Sequence, residues 1–336
     1  MTEDSRPRSL GVLPDGQTVW QIPIAGQGLR ANVLSYGATL QSLYIAGHPK
    51  SLVLGLDDLE GYLNQAIYLG ATVGRCANRI AEGRFSIDGT DHQTDQNFLN
   101  RHTLHGGACG TSRLNWQVLD HHPDRVTLGM DLADGHMGFP GAMEVRLIFS
   151  ITAGPALSLE ITAQADKPTL CNFAHHGYFN LGLTEDVTDH LLHIPAGSYQ
   201  RPDDTLIPEN DPVPLAGTAL DFRVAKPLRA ALRDGGIDHN FCFEHQQGQA
   251  LLAQLSAPDS GVRMAIHSTE PGLQVYDGEL TDLVREGTRN WNSYAGIALE
   301  PQNWPNAINN PKAPSPILRP GEVYRQRTSF VFSTRR

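Results

Sequence analysis

Three short segments, far apart in the chain, each carry a residue that can move a proton near neutral pH. They are residues 100–107 (NRHTLHGG, with His105), residues 175–181 (HHGYFNL, with His176) and residues 299–307 (LEPQNWPNA, with Glu300). Two imidazoles and one carboxylate that a fold brings together can act in turn as general acid and general base. The opening and reclosing of a cyclic hemiacetal requires such a pair.

The first histidine candidate, His105, is followed by Gly106 and Gly107. Because glycine has no side chain, this pair predicts a backbone that approaches a ligand closely and offers amide donors. Taken alone, His105 fits equally well a turn histidine that is satisfied by local hydrogen bonds. His102, three residues earlier, is expected to be a supporting or surface residue.

The second candidate, His176, lies in a segment that we expect to be extended. In a strand, His176, Tyr178 and Asn180 share one face, and His175 lies on the other. An imidazole, a phenol and an amide on one face are typical of the wall of a sugar pocket, so Tyr178 is a candidate for substrate binding. The alternative is a pair of ordinary strand histidines.

The carboxylate candidate, Glu300, follows the apolar residues 296–299 (GIAL), a run typical of a buried strand. A carboxylate at the end of such a run is costly to desolvate unless it is paired or used. Burial would also raise its pKa toward the range that suits a general base. The alternative is a surface carboxylate at the end of a strand.

Three further segments supply donors and acceptors of the kind that hold hydroxyl-rich ligands. They are residues 74–80 (GRCANRI), 238–241 (DHNF) and 272–276 (GLQVY). Arg75 and Asp238 fit structural ion pairs equally well.

The elements that must position these residues are predicted to be strands. Apolar residues alternate with others over 126–132, 145–151 and 157–163, and 33 Gly and 22 Pro leave little room for long helices. Turn signals at 88–89, 153–155 and 258–261 predict hairpins, and short helices are expected over 57–63 and 228–233. We therefore expect one all-β domain of antiparallel strands over residues 1–336.

Composition excludes several classes of partner. The formal net charge is -10 without any block of Lys and Arg, which argues against binding to nucleic acid or to an anionic membrane. The four cysteines form no CxxC pair, which favours buried free thiols over disulfides or a zinc site and indicates a reducing compartment. A polar N-terminus without a signal peptide, and no long apolar run, predict a cytoplasmic protein.

Taken together, the segments resemble the aldose 1-epimerase, or galactose mutarotase, family over essentially the whole chain. The matching stretches, in the family's order, are GATVGRCANRI, NRHTLHGG, DGHMGFPG, HHGYFNL, GIDHNF, PGLQVYDG and ALEPQNWPNA. Seven segments in order are specific, whereas each alone is weak. The resemblance implies a large antiparallel β-sandwich of the galactose mutarotase type, with very few short helices and a site in an open cleft. It also implies an isomerase that interconverts the α and β anomers of a free aldose.

The resemblance assigns roles to individual residues. Glu300 would be the general base for the anomeric hydroxyl, His176 the general acid for the ring oxygen, and His105 a hydrogen-bonding partner near that oxygen. The positions that would contact the sugar hydroxyls are Asn78, Arg79, Asp238 and Gln274. No metal or organic cofactor is implied.

This chain departs from the family's pattern at three positions. His175 stands where the family usually has Asn, Asn306 where it usually has Asp, and Trp304 where a Phe is common. The first change is expected to alter a hydrogen bond near the catalytic acid, and the second to reshape the loop behind Glu300. Both bear on sugar preference more than on reaction type.

Other functions fit parts of the pattern. One is a sugar-binding or sensing protein without turnover, although binding alone needs no matched acid and base. Another is an epimerase of a phosphorylated hexose, which should show a basic cluster beyond Arg75 and Arg79. A metal-dependent isomerase is disfavoured because adjacent histidines on a strand point to opposite faces. The sequence leaves open whether galactose, glucose, xylose or arabinose is preferred, and whether the protein is a monomer or a homodimer.

Overall fold

A computed structural model describes residues 6–65, 67–232, 235–243, 248–279 and 291–334. The first strands are β1 Arg8–Val12, β2 Thr18–Gly26, β3 Leu29–Leu34, β4 Thr39–Ile45, β5 Thr72–Val73, β6 Arg79–Ile80, β7 Arg84–Ile87, β8 Thr90–Gln93 and β9 Thr103–Leu104. The next are β10 Gln117–His122, β11 Arg125–Leu132, β12 Met143–Thr152, β13 Ala156–Ala165, β14 Thr169–Leu170, β15 Ala174–His175, β16 Tyr178–Phe179, β17 Leu191–His193 and β18 Ser198–Gln200. The last are β19 Val213–Pro214, β20 Lys226–Pro227, β21 Asp238–Cys242, β22 Ala250–Ser256, β23 Val262–Ser268, β24 Gly272–Tyr276, β25 Ile297–Gln302, β26 Ile317–Leu318 and β27 Tyr324–Thr334. In the described part of the chain, the α-helices are α1 Leu59–Asn64 and α2 Arg229–Leu232, and short 3₁₀ helices cover Ala81–Gly83, Thr111–Arg113, His136–Gly138 and Ala307–Asn309.

The largest sheet contains nine strands in the order β10-β11-β12-β13-β27-β23-β22-β17-β20. The three alternating runs predicted as strands form β11, β12 and β13, and their apolar residues face the core. All named strand pairs in the described ranges are antiparallel. The prediction of an all-β antiparallel architecture is confirmed.

The predicted turns and helices are also confirmed, with small shifts. Asp88 and Gly89 adopt positive φ of 51° and 80° and join β7 to β8, as a two-residue hairpin requires. Helix α1 begins after Asp58, whose carboxylate accepts a hydrogen bond from the Gly61 amide at 2.7 Å. Helix α2 covers four residues of the predicted 228–233, and residue 233 lies outside the described residues.

A six-stranded sheet, in the order β16-β25-β24-β21-β18-β19, carries the polar segments. Because side chains alternate along a strand, its two faces differ. One face buries apolar side chains against the nine-stranded sheet, and these are Phe179, Phe241, Leu273, Val275 and Leu299. The opposite face carries the residues in between, which are Tyr178, Asp238, Asn240, Gln274 and Glu300. The register that buries one set therefore places the other set together.

The main core runs through both large sheets and the four-stranded sheet β1-β2-β3-β4. All four cysteines are free thiols, as predicted, but Cys109 is exposed, since it lies in a loop rather than in the core. None of the helices in the described part of the chain is long and apolar enough to cross a membrane.

Candidate active site

Strand pairing places the carboxylate of Glu300 on β25, the second strand of the six-stranded sheet, between β16 and β24. Its Cα partner across the ladder is Gln274 of the neighbouring strand β24. The residue is 1% exposed, and Oε2 has no hydrogen-bond partner among the described residues. Burial, followed by repulsion from Asp238, raises the pKa of Glu300 well above its usual value, while Arg79 opposes this shift.

The imidazole of His176 lies beside this carboxylate. Its Nε2 is 3.5 Å from Oε1 of Glu300, and both side chains are buried. The backbone of His176 is fixed from one side, because its amide donates to the Ala71 carbonyl at 2.8 Å and its carbonyl accepts from the Gly70 amide at 3.0 Å. Burial lowers the pKa of His176 to about 4. An acid and a base with opposite pKa shifts therefore face each other.

His105 follows β9, which pairs with β6 and brings Asn78 alongside. The backbone N–H of Asn78 donates to Nδ1 of His105 at 3.2 Å, and the backbone N–H of His105 donates to the backbone carbonyl of Asn78 at 3.0 Å. Because Nδ1 accepts, the neutral ring carries its proton on Nε2 and offers it as a donor. Burial, the nearby His176 and Arg79 hold the pKa of His105 well below its usual value.

Gly106, the first glycine after His105, has a different structural role from the one expected. Gly106 has φ of 85°, and a Cβ built on it would lie 1.9 Å from the Gly74 carbonyl oxygen. The missing side chain therefore allows close approach to the protein's own backbone, not to a ligand.

Ligand atoms of His105, His176 and Glu300 all lie within 4.8 Å of one another. Three ligand atoms this close together could also bind a single metal ion. A histidine that binds a metal usually donates its other ring N–H to an acceptor. In His105 that other nitrogen accepts the Asn78 N–H instead. The arrangement therefore favours proton transfer over metal binding.

A second cluster lies next to the three acid–base residues. Asp238 accepts a hydrogen bond from Arg79 at 3.1 Å and one from the Gln274 amide at 2.5 Å. Arg79 also donates to the side-chain oxygen of Asn78 at 3.4 Å, and its guanidinium lies 4.8 Å from the centre of the Phe98 ring. These polar groups are tied to one another, so they present a preformed set of donors and acceptors.

Arg75 does not join this cluster. It is 2% exposed, and its guanidinium donates to the carbonyls of Ala133, Pro140 and Gly141. The expectation that Arg75 could hold ligand hydroxyls or form an ion pair is therefore wrong, because backbone carbonyls occupy both terminal nitrogens of its guanidinium. His102 is a supporting residue, since its Nδ1 accepts the Glu82 amide at 2.9 Å.

Tyr178 and His176 do share one side, with ring centres 5.1 Å apart. The Tyr178 hydroxyl donates to the Ile67 carbonyl at 3.1 Å, so the phenol has a protein partner, and its contact with substrate stays a prediction. The Asn180 amide donates to the Ala295 carbonyl at 2.9 Å and supports the backbone.

The departures from the family's pattern have clear structural settings. His175 points away from Glu300 into the core, where its ring meets Phe149 at 5.9 Å and Phe330 at 6.2 Å. Neither of its ring nitrogens has a partner in the described ranges, and burial lowers its pKa to about 3. Asn306 accepts hydrogen bonds from the Ala81 amide at 3.0 Å and the Asn309 side chain at 2.8 Å, so its amide oxygen holds the loop.

Two residues near the site were not predicted from the sequence. The Tyr68 ring lies 4.5 Å from that of His105 and 5.9 Å from that of His176, between ring centres. Phe98 lies under Arg79. Neither residue stands in a polar segment with a candidate acid or base, so the sequence contains no signal for either contact.

Comparison with known proteins assigns the family. A model described as aldose 1-epimerase matches residues 22–331. Galactose mutarotase from Homo sapiens is 36% identical, covering 96% of this chain and 97% of its own, and aldose 1-epimerase from Escherichia coli (strain K12) is 34% identical, covering 95% and 96%.

Solved structures agree. An aldose epimerase homologue from C. elegans has a TM-score of 0.89 at 28% identity, over 94% of this chain and 99% of its own. Galactose 1-epimerase from Lactobacillus acidophilus has a TM-score of 0.86 at 27% identity, over 98% and 99%. With the family model matched over residues 22–331 and relatives at 34% and 36% identity over almost the whole chain, the chain belongs to the aldose 1-epimerase family of isomerases.

Proposed function

We propose that the protein interconverts the α and β anomers of a free aldose with Glu300 as general base and His176 as general acid. The observation that carries this proposal is the buried 3.5 Å approach of His176 Nε2 to Glu300 Oε1. A purely binding site has no need of a buried carboxylate and imidazole with opposite pKa shifts, whereas proton transfer uses such a pair.

The reaction needs no outside reagent. Glu300 accepts the proton of the C1 hydroxyl, the C1–O5 bond breaks, and its electron pair goes to O5 as the C1 carbonyl forms. His176 donates its proton to O5. Rotation about C1–C2 then presents the other carbonyl face. In closure, His176 takes the proton back from O5 and Glu300 returns its proton to the carbonyl oxygen.

The pair carries one proton throughout this cycle. Before ring opening the carboxylate is ionised and the imidazole protonated, and in the open-chain state both groups are neutral. Burial stabilises the neutral state, because it raises the pKa of Glu300 and lowers that of His176. Arg79 favours the ionised carboxylate but does not reverse the shift, so ring opening starts from the less stable, ionic form of the pair.

The neighbouring groups have supporting roles in this proposal. His105, protonated on Nε2, donates to the ring oxygen as charge develops there. Asn78, Arg79, Asp238 and Gln274 hold the sugar hydroxyls, and Tyr178 lies against the ring of His176. No step uses a metal or an organic cofactor.

Galactose is the first substrate to test, because relatives at 34–36% identity include proteins named galactose mutarotase. Glucose, xylose and arabinose are further candidates. A phosphorylated hexose is less well supported, since the buried Arg75 is occupied by carbonyls.

We further infer one domain over residues 1–336, a monomer or homodimer, and a cytoplasmic location. The continuous main core supports the single domain, and four free thiols are in keeping with a reducing compartment.

The direct test is polarimetry, or anomer-resolved NMR, on freshly dissolved α-D-galactose, α-D-glucose and α-D-xylose. The proposal predicts faster approach to the anomer equilibrium with the wild-type protein and a large loss in Glu300→Gln. Sugar binding by that variant, measured by calorimetry, should persist. Near-normal turnover in Glu300→Gln would remove the carboxylate from the mechanism.

A further inference from the structure

Tyr68 packs against both histidines of the acid–base group. Its ring centre lies 4.5 Å from that of His105, with the ring planes at 59°, and 5.9 Å from that of His176, at 34°. The two imidazoles themselves are 5.3 Å apart and nearly perpendicular. Tyr68 therefore contacts a pair of rings whose relative orientation decides which nitrogen faces the substrate.

The backbone around Tyr68 also holds His176. The Ala71 amide donates to the Tyr68 carbonyl at 2.9 Å, which closes a tight turn. The two residues at the end of that turn, Gly70 and Ala71, make both backbone hydrogen bonds of His176. The same turn thus fixes His176 through its main chain and through its ring.

A second connection leads from Tyr68 to His105. The side chain of Asn97 lies beside Tyr68, where it opposes the rise that burial causes in the pKa of the phenol. It also pairs with both backbone groups of Leu104, accepting from the amide at 2.8 Å and donating to the carbonyl at 3.0 Å. Leu104 directly precedes His105, so the side chain next to the phenol also holds the backbone that leads into the second histidine.

Tyr68 adopts φ of 56°, a left-handed conformation that is disfavoured for a bulky side chain. It packs on the small apolar cluster of Val73, Ala77 and Ala174, and that packing holds the ring where it is. We propose that Tyr68 is a positioning residue that fixes the rings of His105 and His176 and keeps water away from them. The inference rests on the roles proposed above for these histidines.

Loss of the Tyr68 ring should change the pKa of the two imidazoles, which a loss of folding stability alone would not do. Water admitted beside the imidazoles would raise their pKa toward the ordinary histidine value, because burial is the main cause of the present lowering. The other charged groups that face them, Arg79, Asp238 and Glu300, would stay in place. The acid limb of the rate profile should therefore move to higher pH.

The test compares Tyr68→Phe with Tyr68→Asn. Phenylalanine keeps the ring, whereas asparagine removes it yet tolerates the left-handed backbone. For α-D-galactose we expect kcat of Tyr68→Phe to stay within about fivefold of wild type, since this variant keeps the ring and loses only the hydroxyl. For Tyr68→Asn we expect kcat to fall about 10–100-fold with little change in KM and an acid limb shifted upward.

Two controls make the result interpretable. Tyr294 also has a left-handed φ, of 63°, but lies beside Asp277 and Glu279, so Tyr294→Asn should leave the pH profile unchanged. Histidine titration by NMR reports the imidazoles without turnover, so the inference can be judged even if Glu300→Gln keeps its activity and the mechanism itself fails. An equal loss in Tyr68→Phe and Tyr68→Asn, a change in KM alone, or unchanged histidine titration in Tyr68→Asn would overturn the proposal.

Discussion

The two faces of the six-stranded sheet are built from alternate residues of the same strands, yet their side chains differ in chemical character. On one face Leu273 and Leu299 are fully buried against the nine-stranded sheet. On the other, Gln274 and Glu300 are 3% and 1% exposed. Burial is therefore nearly equal, but one face is apolar and the other polar and ionisable.

The difference shows how the site obtains its chemistry. Burial on the apolar face stabilises the fold by about 25 cal/mol for each Å² of apolar surface. Burial on the polar face instead disfavours charge, which raises the pKa of Glu300 and lowers that of His176. His175 and His176 repeat the contrast in adjacent residues, since one ring meets Phe149 and Phe330 and the other meets Glu300.

The largest expected effect is on the polar face. Glu300→Gln keeps the size of the side chain but removes the base, so kcat should fall about 10²–10⁴-fold. Polarimetry on α-D-galactose measures it. Glu270 supplies the matched control, because burial raises its pKa to about 8 while Tyr324, at the start of β27 in the nine-stranded sheet, opposes this shift. If Glu270→Gln lost as much activity as Glu300→Gln, the loss in Glu300→Gln could not be assigned to removal of the general base.

The adjacent histidines give the next contrast. His176→Asn removes the acid and should lower kcat about 10²–10³-fold. His175→Asn should change kcat less than about threefold, because that ring faces the core.

His175→Asn should also change acid unfolding. The folded pKa of His175, about 3, lies below the usual histidine value. Its contribution to stability is therefore present above pH ~6.5 and is lost as pH falls toward 3, because the unfolded chain takes up a proton there. The variant, which lacks this proton uptake, should unfold at a lower pH in a circular dichroism titration. A similar loss of turnover in both histidine variants would contradict the division between the faces.

The smallest expected difference in catalysis is between variants of Leu273 and Gln274, which are adjacent on strand β24. Leu273→Ala leaves a cavity in the core and should lower the free energy of unfolding by about 2–5 kcal/mol with little change in kcat. Gln274→Ala removes a partner of Asp238 and should raise KM about tenfold while the unfolding midpoint in urea stays near wild type. The reverse pattern, activity lost at 273 and stability lost at 274, would mean that the faces are wrongly assigned.

Much of this comparison could be predicted from the sequence. Period-two alternation in residues 145–151 and 157–163 indicated strands, because only a half-buried strand repeats every second residue. The placement of His175 and His176 on opposite faces followed from the same geometry. The segments around His105, His176 and Glu300 indicated the reaction through their family resemblance.

Other features depend on contacts between distant segments, and the sequence held no sign of them. The backbone N–H of Asn78 hydrogen-bonds the ring of His105, 27 residues further along the chain, and this contact sets the tautomer of His105. Arg75 looked like a ligand for hydroxyls because its three carbonyl partners, which lie 58 to 66 residues away, are set only by the fold. Tyr68 reaches both histidines from a turn with no polar neighbour to mark it.

Glu300 and His176 are proposed to share one proton and to exchange it through the sugar, and the decisive measurement is the pH dependence of kcat. The shared proton predicts a bell-shaped profile of kcat against pH. Activity falls below about pH 4, where His176 takes up a second proton, and falls again above the raised pKa of Glu300, where the pair loses its only proton. A kcat that stays flat from about pH 3 to about pH 10, in the range where catalytic acids and bases titrate, would contradict it.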